Sequence, residues 1–307
     1  MILTSALQAI GNTPVVRLQR IVPAGSAQVL VKLEGGNPTG SYKDRMALAM
    51  IEGAERSGRL QPGQRVVEFT GGSTGSSLAF ICAVKGYPLS VVSSDAFSPE
   101  KLRTMQAFGA DLVVVPSDQG RITPDLFVRM RHEVDRIVAS DNAFWTDQFN
   151  NEDALDGYAI LGQEILDQTA GTELHTFCAA VGTGGMMVGV GRTLRPHLNR
   201  IVALEPASSP MLTKGFGGAH RVEGTATGTI PPLLAEGAYD EARAVEESEA
   251  RELVKSLSRQ EGVFAGTSSA LNVVGAIQLA SELSPDQTVV TVAADTGLKY
   301  LAGDLYL

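Results

Sequence analysis

A lysine at the start of a helix is poorly placed as a surface charge, and Lys43 is such a lysine. It follows the loop Gly36-Asn37-Pro38-Thr39-Gly40-Ser41-Tyr42 and opens a stretch that reads as a helix from Tyr42 to Gly58. A cation there faces the positive end of the helix macrodipole. An amine that forms an imine with a carbonyl compound gains from that setting, because burial and nearby positive ends keep it neutral and nucleophilic. Taken by itself, Lys43 also reads as a solvated first-turn lysine. Lys32, Lys85 and Lys101 lie in no comparable loop and read as ordinary lysines.

Two glycine-rich segments and one strand-ending turn offer complementary chemistry. In Thr70-Gly71-Gly72-Ser73-Thr74-Gly75 the glycines permit a tight turn. Amides at the following helix start can bind an anion, and Ser73 and Thr74 add hydroxyl donors. A plain Ser/Thr helix cap is the competing reading. In Gly182-Thr183-Gly184-Gly185-Met186 three glycines let several amides point at one dianion, which makes it the better phosphate cradle. It is no Walker loop, since no Gly-Lys-Ser/Thr follows, and Met187 stands where a dinucleotide fingerprint needs its third glycine. Asp295-Thr296-Gly297 places side-chain oxygens where they can meet a heterocycle nitrogen, or simply ends a strand.

The elements that must hold these loops alternate. Val29–Leu33, Arg65–Phe69, Leu89–Ser93 and Leu112–Val115 read as strands, separated by helices at Tyr42–Gly58, Thr74–Lys85 and Pro99–Phe108. Helices follow at Thr123–Ala139 and Asp153–Gln168, then strand Thr176–Val181, helix Gly185–Leu194 and strand Ile201–Leu204. A looser Gly-rich segment, Phe216–Pro232, precedes helices Glu249–Gln260 and Ser268–Leu283 and a last strand, Thr288–Ala293. This is βαβ grammar, which implies parallel strands with helices on both faces. The apolar run Asp111-Leu112-Val113-Val114-Val115 reads as a strand buried on both sides. Two doubly wound α/β domains are expected, a smaller one over 35–147 and a larger one from 1–34 and 148–307. Each glycine-rich segment falls at the carboxyl end of a strand, where such folds gather ligands.

Composition narrows the class. The chain has 307 residues, room for a substantial core, and its 44% hydrophobic and 19% charged residues fit a soluble α/β protein. A net charge of −9, without a basic stripe, argues against nucleic acid as a partner. No apolar run reaches membrane-spanning length, and the N-terminus lacks a basic region followed by an apolar core, so a cytoplasmic enzyme is expected. Cys82 and Cys178 sit in apolar runs and read as buried structural thiols; two isolated cysteines make no metal cluster.

Jointly, these segments resemble the cysteine synthase/cystathionine β-synthase family. Lys43, the Thr70–Gly75 loop, the Gly182–Gly185 loop and Gly297-Leu298-Lys299-Tyr300-Leu301 occur in that family's order and spacing. So do Ile10-Gly11-Asn12-Thr13-Pro14, Leu204-Glu205-Pro206 and Gly262-Val263-Phe264-Ala265-Gly266. The resemblance spans nearly the whole chain. It implies a fold-type II, tryptophan synthase β-like architecture, with pyridoxal 5′-phosphate (PLP) in the cleft between two domains, and a homodimer. By position it implies that Lys43 forms the Schiff base and that Gly182, Thr183, Gly184 and Gly185 hold the phosphate. It implies that Thr70, Gly71, Gly72, Ser73 and Thr74 grip the substrate carboxylate, with Ser73 also near the cofactor ring oxygen. Gln148 matches a substrate-facing glutamine, and Thr296 faces the pyridine nitrogen, with Asp295 as the alternative one residue earlier.

A hydroxyl at the ring nitrogen, unlike a carboxylate, leaves that ring a weaker electron sink. Loss of a group from Cβ then competes well, which is the logic of β-elimination and β-replacement. The resemblance therefore implies β-replacement on an activated serine such as O-acetylserine by sulfide or another small nucleophile. A β-eliminating lyase or dehydratase of the same fold, acting on serine, threonine or cysteine, is the nearest competitor. A catalytically silent PLP-fold binding protein is the third, and retention of Lys43 counts against it. Departures bear on the substrate. The family's loop usually reads Thr-Ser-Gly-Asn-Thr-Gly, whereas this chain has Gly71 and Ser73 for the serine and asparagine. Met186 stands for a usual threonine, and Gly157–Glu164 lacks the usual His and Thr-Gly-Pro.

Overall fold

In the computed structural model, which describes residues 2–234 and 237–307, the chain forms two compact units. One comprises 1–10 and 43–154, the other 11–42 and 155–307.

In chain order the elements are β1 Val15–Arg17, β2 Gln28–Leu33, α1 Lys43–Arg56, β3 Val66–Phe69, α2 Ser73–Lys85, β4 Leu89–Ser94, α3 Pro99–Ala107, β5 Asp111–Val115, α4 Pro124–Asp141, β6 Phe144–Trp145 and α5 Asp153–Gln168. Then come β7 Thr176–Ala180, α6 Gly185–Leu194, β8 Arg200–Pro206, α7 Met211–Lys214, β9 Glu241–Val245, α8 Glu247–Glu261, α9 Thr267–Ser281 and β10 Thr288–Ala293.

The smaller unit holds a parallel four-stranded sheet in the order β5-β4-β3-β6. Its helices follow from local sequence. Gly86 in the left-handed region closes α2, and Thr123 caps α4 through the amide of Leu126. One face of the sheet buries Val67, Val92, Leu126, Met130, Val134 and Ile137 together. β5 departs from expectation. Its apolar run lies at the sheet edge, with Val114 49% exposed, rather than buried on both faces. Periodicity cannot distinguish an apolar edge strand from a central one, because pairing partners decide it.

The larger unit holds six strands in the order β1-β2-β10-β7-β8-β9, antiparallel only at β1. β7, β8 and β10 are buried throughout, apart from the first residue of β8. Helix α9, almost entirely buried, packs Ala270, Leu271, Val273, Val274 and Leu279 against them. Asn272 sits in that contact, donating to Val292 O at 2.8 Å and accepting from Ala180 N at 2.7 Å, so its buried amide is satisfied. Residues 216–232 form no helix or strand, as their glycines predict. Cys82 and Cys178 are free and buried, and burial raises both thiols to about 12, as structural thiols require. Among the described residues no helix is long and apolar enough to cross a membrane.

Candidate active site

Lys43 is the first residue of α1 and is 8% exposed. Its Nζ approaches Met46 Sδ at 3.9 Å. Burial lowers its pKa to about 8, so a far larger share of the amine is neutral near pH 8 than for a surface lysine. The loop before it is pinned from several sides. Asn37 Nδ2 donates to the Glu34 carboxylate at 2.9 Å, Gly11 N donates to Asn37 Oδ1, and Thr296 N donates to Gly40 O at 2.9 Å. Gly40 has φ +75°, and a Cβ there would lie 2.6 Å from Thr296 Cγ2, so glycine is required twice over.

The Thr70–Gly75 loop runs from β3 into α2, whose capping residue Gly72 offers no side-chain oxygen to the first turn. Gly72 N donates to Thr70 Oγ1 at 3.1 Å. Thr74 Oγ1 donates to Gln148 Oε1 at 2.7 Å, bringing together two residues 74 positions apart. Ser73 is the first residue of α2 and is half-buried. Gln148 is itself held: Asp147, before it, takes φ +45°, a conformation uncommon outside glycine.

Glu68 stabilises that turn, and sequence reasoning missed it. This fully buried carboxylate accepts from Thr146 Oγ1 at 2.6 Å, Gln148 N at 3.0 Å, Phe69 N at 2.9 Å and Trp145 Nε1 at 3.3 Å. Burial pushes its pKa up to about 7, while the four donors pull the other way. One side chain thus ties the strand that enters the Thr70 loop to the segment that presents Gln148. The available signal was a lone Glu inside an apolar strand, which demands buried partners.

The Gly182–Gly185 loop runs from β7 into α6 and is buried throughout. A Cβ on Gly182 would lie 2.2 Å from Gly224 O, and Gly184 has φ +84° with a Cβ position 3.0 Å from Leu234 N. The amides of Gly182, Thr183 and Gly184 donate to no described residue. α6 has no side-chain cap and no acidic residue in its first turn. Amides that donate to no described residue and a helix end whose first turn carries no acidic residue fit a phosphate group. Tyr42, next in sequence to Lys43, shares a small cavity with Gly182, Thr183 and Gly184. Its ring lies 5.5 Å from that of Tyr158, which in turn packs on Gly185.

The 295–297 segment lies between two backbone bridges, Ser41 with Asp295 and Ala265 with Thr296. The neighbouring side chains engage different partners. Asp295 Oδ2 accepts from Tyr300 Oη at 2.7 Å, whereas Thr296 Oγ1 accepts from Leu298 N at 3.3 Å. Lys32 departs from its expected ordinary setting: it is fully buried and meets Glu164 at 2.7 Å and Gln168 at 3.0 Å. Glu164 also accepts from Asn12 N, so the pair braces the 11–14 loop.

Residues 6–295 match the family described as pyridoxal-phosphate dependent enzyme. A cysteine synthase of Staphylococcus aureus is 40% identical over 306 residues, covering 97% of this chain and 96% of that one. The chain belongs to this PLP-dependent family. O-ureido-L-serine synthase of Streptomyces lavendulae is 36% identical over 307 residues, 98% of this chain and 92% of the relative. The crystal structure of a cysteine synthase from Entamoeba histolytica superposes with a TM-score of 0.92 at 30% identity, covering 100% of this chain and 91% of the other. The α/β architecture and the PLP dependence expected from the sequence therefore stand. The glycines of the Gly182–Gly185 loop, and its amides that donate to no described residue, are compatible with a phosphate group of the kind PLP carries.

Proposed function

We propose that this PLP-dependent enzyme replaces the β-substituent of an O-acetylserine-type amino acid with sulfide or another small nucleophile. Lys43 carries the reading: a buried lysine held near pKa 8 at the first residue of a helix is built for carbonyl chemistry, not for the surface. When bound, PLP supplies an electron sink that acidifies the substrate Cα proton and lets the Cβ substituent leave.

The chain's own groups do the rest. Lys43 Nζ holds the cofactor, and once released it takes the Cα proton as general base. The amides of Gly182, Thr183, Gly184 and Gly185 bind the phosphate. Thr70 to Thr74 and Gln148 receive the substrate carboxylate, with Ser73 near the cofactor ring oxygen; the Thr74–Gln148 hydrogen bond supports treating them as one substrate surface. Thr296 faces the ring nitrogen in preference to Asp295, whose carboxylate is engaged by Tyr300. The family likeness extends the proposal to a homodimer working in the cytoplasm.

The test is turnover of the PLP-loaded protein. O-acetyl-L-serine and sulfide should give cysteine by mass spectrometry, and Lys43→Ala should abolish it. If serine or threonine yields keto acid while O-acetylserine and sulfide yield no cysteine, the enzyme is a lyase. If neither reacts and borohydride fixes no cofactor on Lys43, it is a silent binding protein.

A further inference from the structure

Gly71 and Gly72 are adjacent, yet their surroundings are opposite. A Cβ on Gly72 would meet nothing within 4 Å, whereas a Cβ on Gly71 would lie 2.0 Å from Phe97 Cγ and 2.1 and 2.3 Å from its two Cδ atoms. The aromatic ring therefore fills the volume that a side chain at 71 would need. The backbone does not demand glycine there, since Gly71 lies outside the left-handed region. The three atoms nearest that position all belong to Phe97.

Phe97 is anchored on its other side. It follows β4, its amide donates to Ser94 O, and it packs against the core formed by Val67, Val92, Leu126 and Met130. The loop is tied to the same strand through Thr70 N and Val92 O at 2.9 Å. Within the loop, Thr70 Oγ1 accepts from Gly72 N and Thr74 Oγ1 donates to Gln148. The amides of Gly71 and Thr74 donate to no described residue, and their direction depends on what braces residue 71.

We infer that Phe97 is a positioning residue for the carboxylate-binding loop. Its ring takes the place of a side chain at 71 and fixes the amides that receive an amino-acid carboxylate. This rests on reading Thr70–Thr74 as the carboxylate site. It also means that a serine at 71 requires the ring at 97 to move aside or be replaced by a smaller side chain.

A double-mutant cycle on the PLP-loaded protein tests this, with L-serine as the probe measured by calorimetry, alongside thermal melts and O-acetylserine kinetics. Gly71→Ser should weaken L-serine binding about tenfold or more, as forced overpacking does. Phe97→Ala, which leaves the loop unbraced, should weaken it about threefold and raise KM more than it lowers kcat. The double variant should bind more tightly than Gly71→Ser alone, a non-additive result expected of coupled residues and not of independent ones. The inference falls if Gly71→Ser binds L-serine like the parent, if the cycle is additive, or if both singles lower the melting temperature while L-serine affinity stays put. If the parent protein itself binds PLP but no L-serine, the carboxylate reading of the loop fails, and the inference with it.

Discussion

The role proposed for Lys43 runs through its amine, so the protonation state of that amine decides when it can attack a carbonyl. Burial favours the neutral form and brings the value from 10.5 to about 8. Above that pH the amine is mostly neutral, and below it the nucleophilic fraction falls about tenfold per pH unit. Attachment of PLP to the apo-protein, trapped with borohydride and followed by mass spectrometry, should therefore accelerate from pH 6 to 8 and level off by pH 9. A rate still climbing past pH 9.5 would show Lys43 behaving as an exposed lysine, and label on another lysine would displace it from the site. Lys32 does not compete for this role although it too is buried, because its amine already donates to the carbonyl of Thr13, to Glu164 at 2.7 Å and to Gln168 at 3.0 Å.

The proposed binding groups lie on loops at strand ends, and the geometry of each loop is set by the helix that follows. The Gly182–Gly185 loop must bring several amides to one point, and Gly182 allows this only because it has no side chain. The obstructing atom, Gly224 O, belongs to the backbone and cannot swing aside as a side-chain tip can. Gly182→Ala should then displace the loop at a cost of about 1–3 kcal/mol and weaken PLP binding by roughly tenfold to a hundredfold. Equilibrium dialysis of PLP against the variant checks this; an unchanged affinity would mean the phosphate is held elsewhere. In the Thr70 loop the governing device is Glu68, whose four donors come from its own strand and from residues 145–148. Gln148 reaches Thr74 because that carboxylate holds the left-handed turn at Asp147.

For the whole molecule, the proposed homodimer has a direct consequence for the surface. Ile160, Phe216, Ile230, Leu298 and Leu301 are each more than half exposed. A partner subunit that covers some of them would gain about 25 cal/mol for each Å² of apolar surface removed from water. Light scattering on the eluting protein at micromolar concentration should give twice the 32.3 kDa chain mass. A mass equal to one chain would remove the homodimer from the proposal.

Which parts of this protein are written locally, and which are not, follows from how far each interaction reaches along the chain. The alternation of strands and helices was legible because apolar spacing is a property of neighbouring residues. So were the glycine loops at strand ends and the helix that Lys43 opens. β9, read as part of no element, has the unpromising sequence Glu241-Ala242-Arg243-Ala244-Val245 and exists through pairing with β8. β1 and β6, of three and two residues, likewise depend on partners supplied from elsewhere. The same limit hid the partners of Lys32, which lie 132 and 136 residues away, and those of Glu68, which lie up to 80 residues away. It hid the reason for Gly71, whose missing side chain is explained by a ring beyond the next strand. Sequence alone determined that a lysine and glycine-rich loops stand at strand and helix ends. Only the tertiary structure decided how deeply the lysine is buried and what braces the loops, because burial and hydrogen-bond partners come from residues distant in the chain.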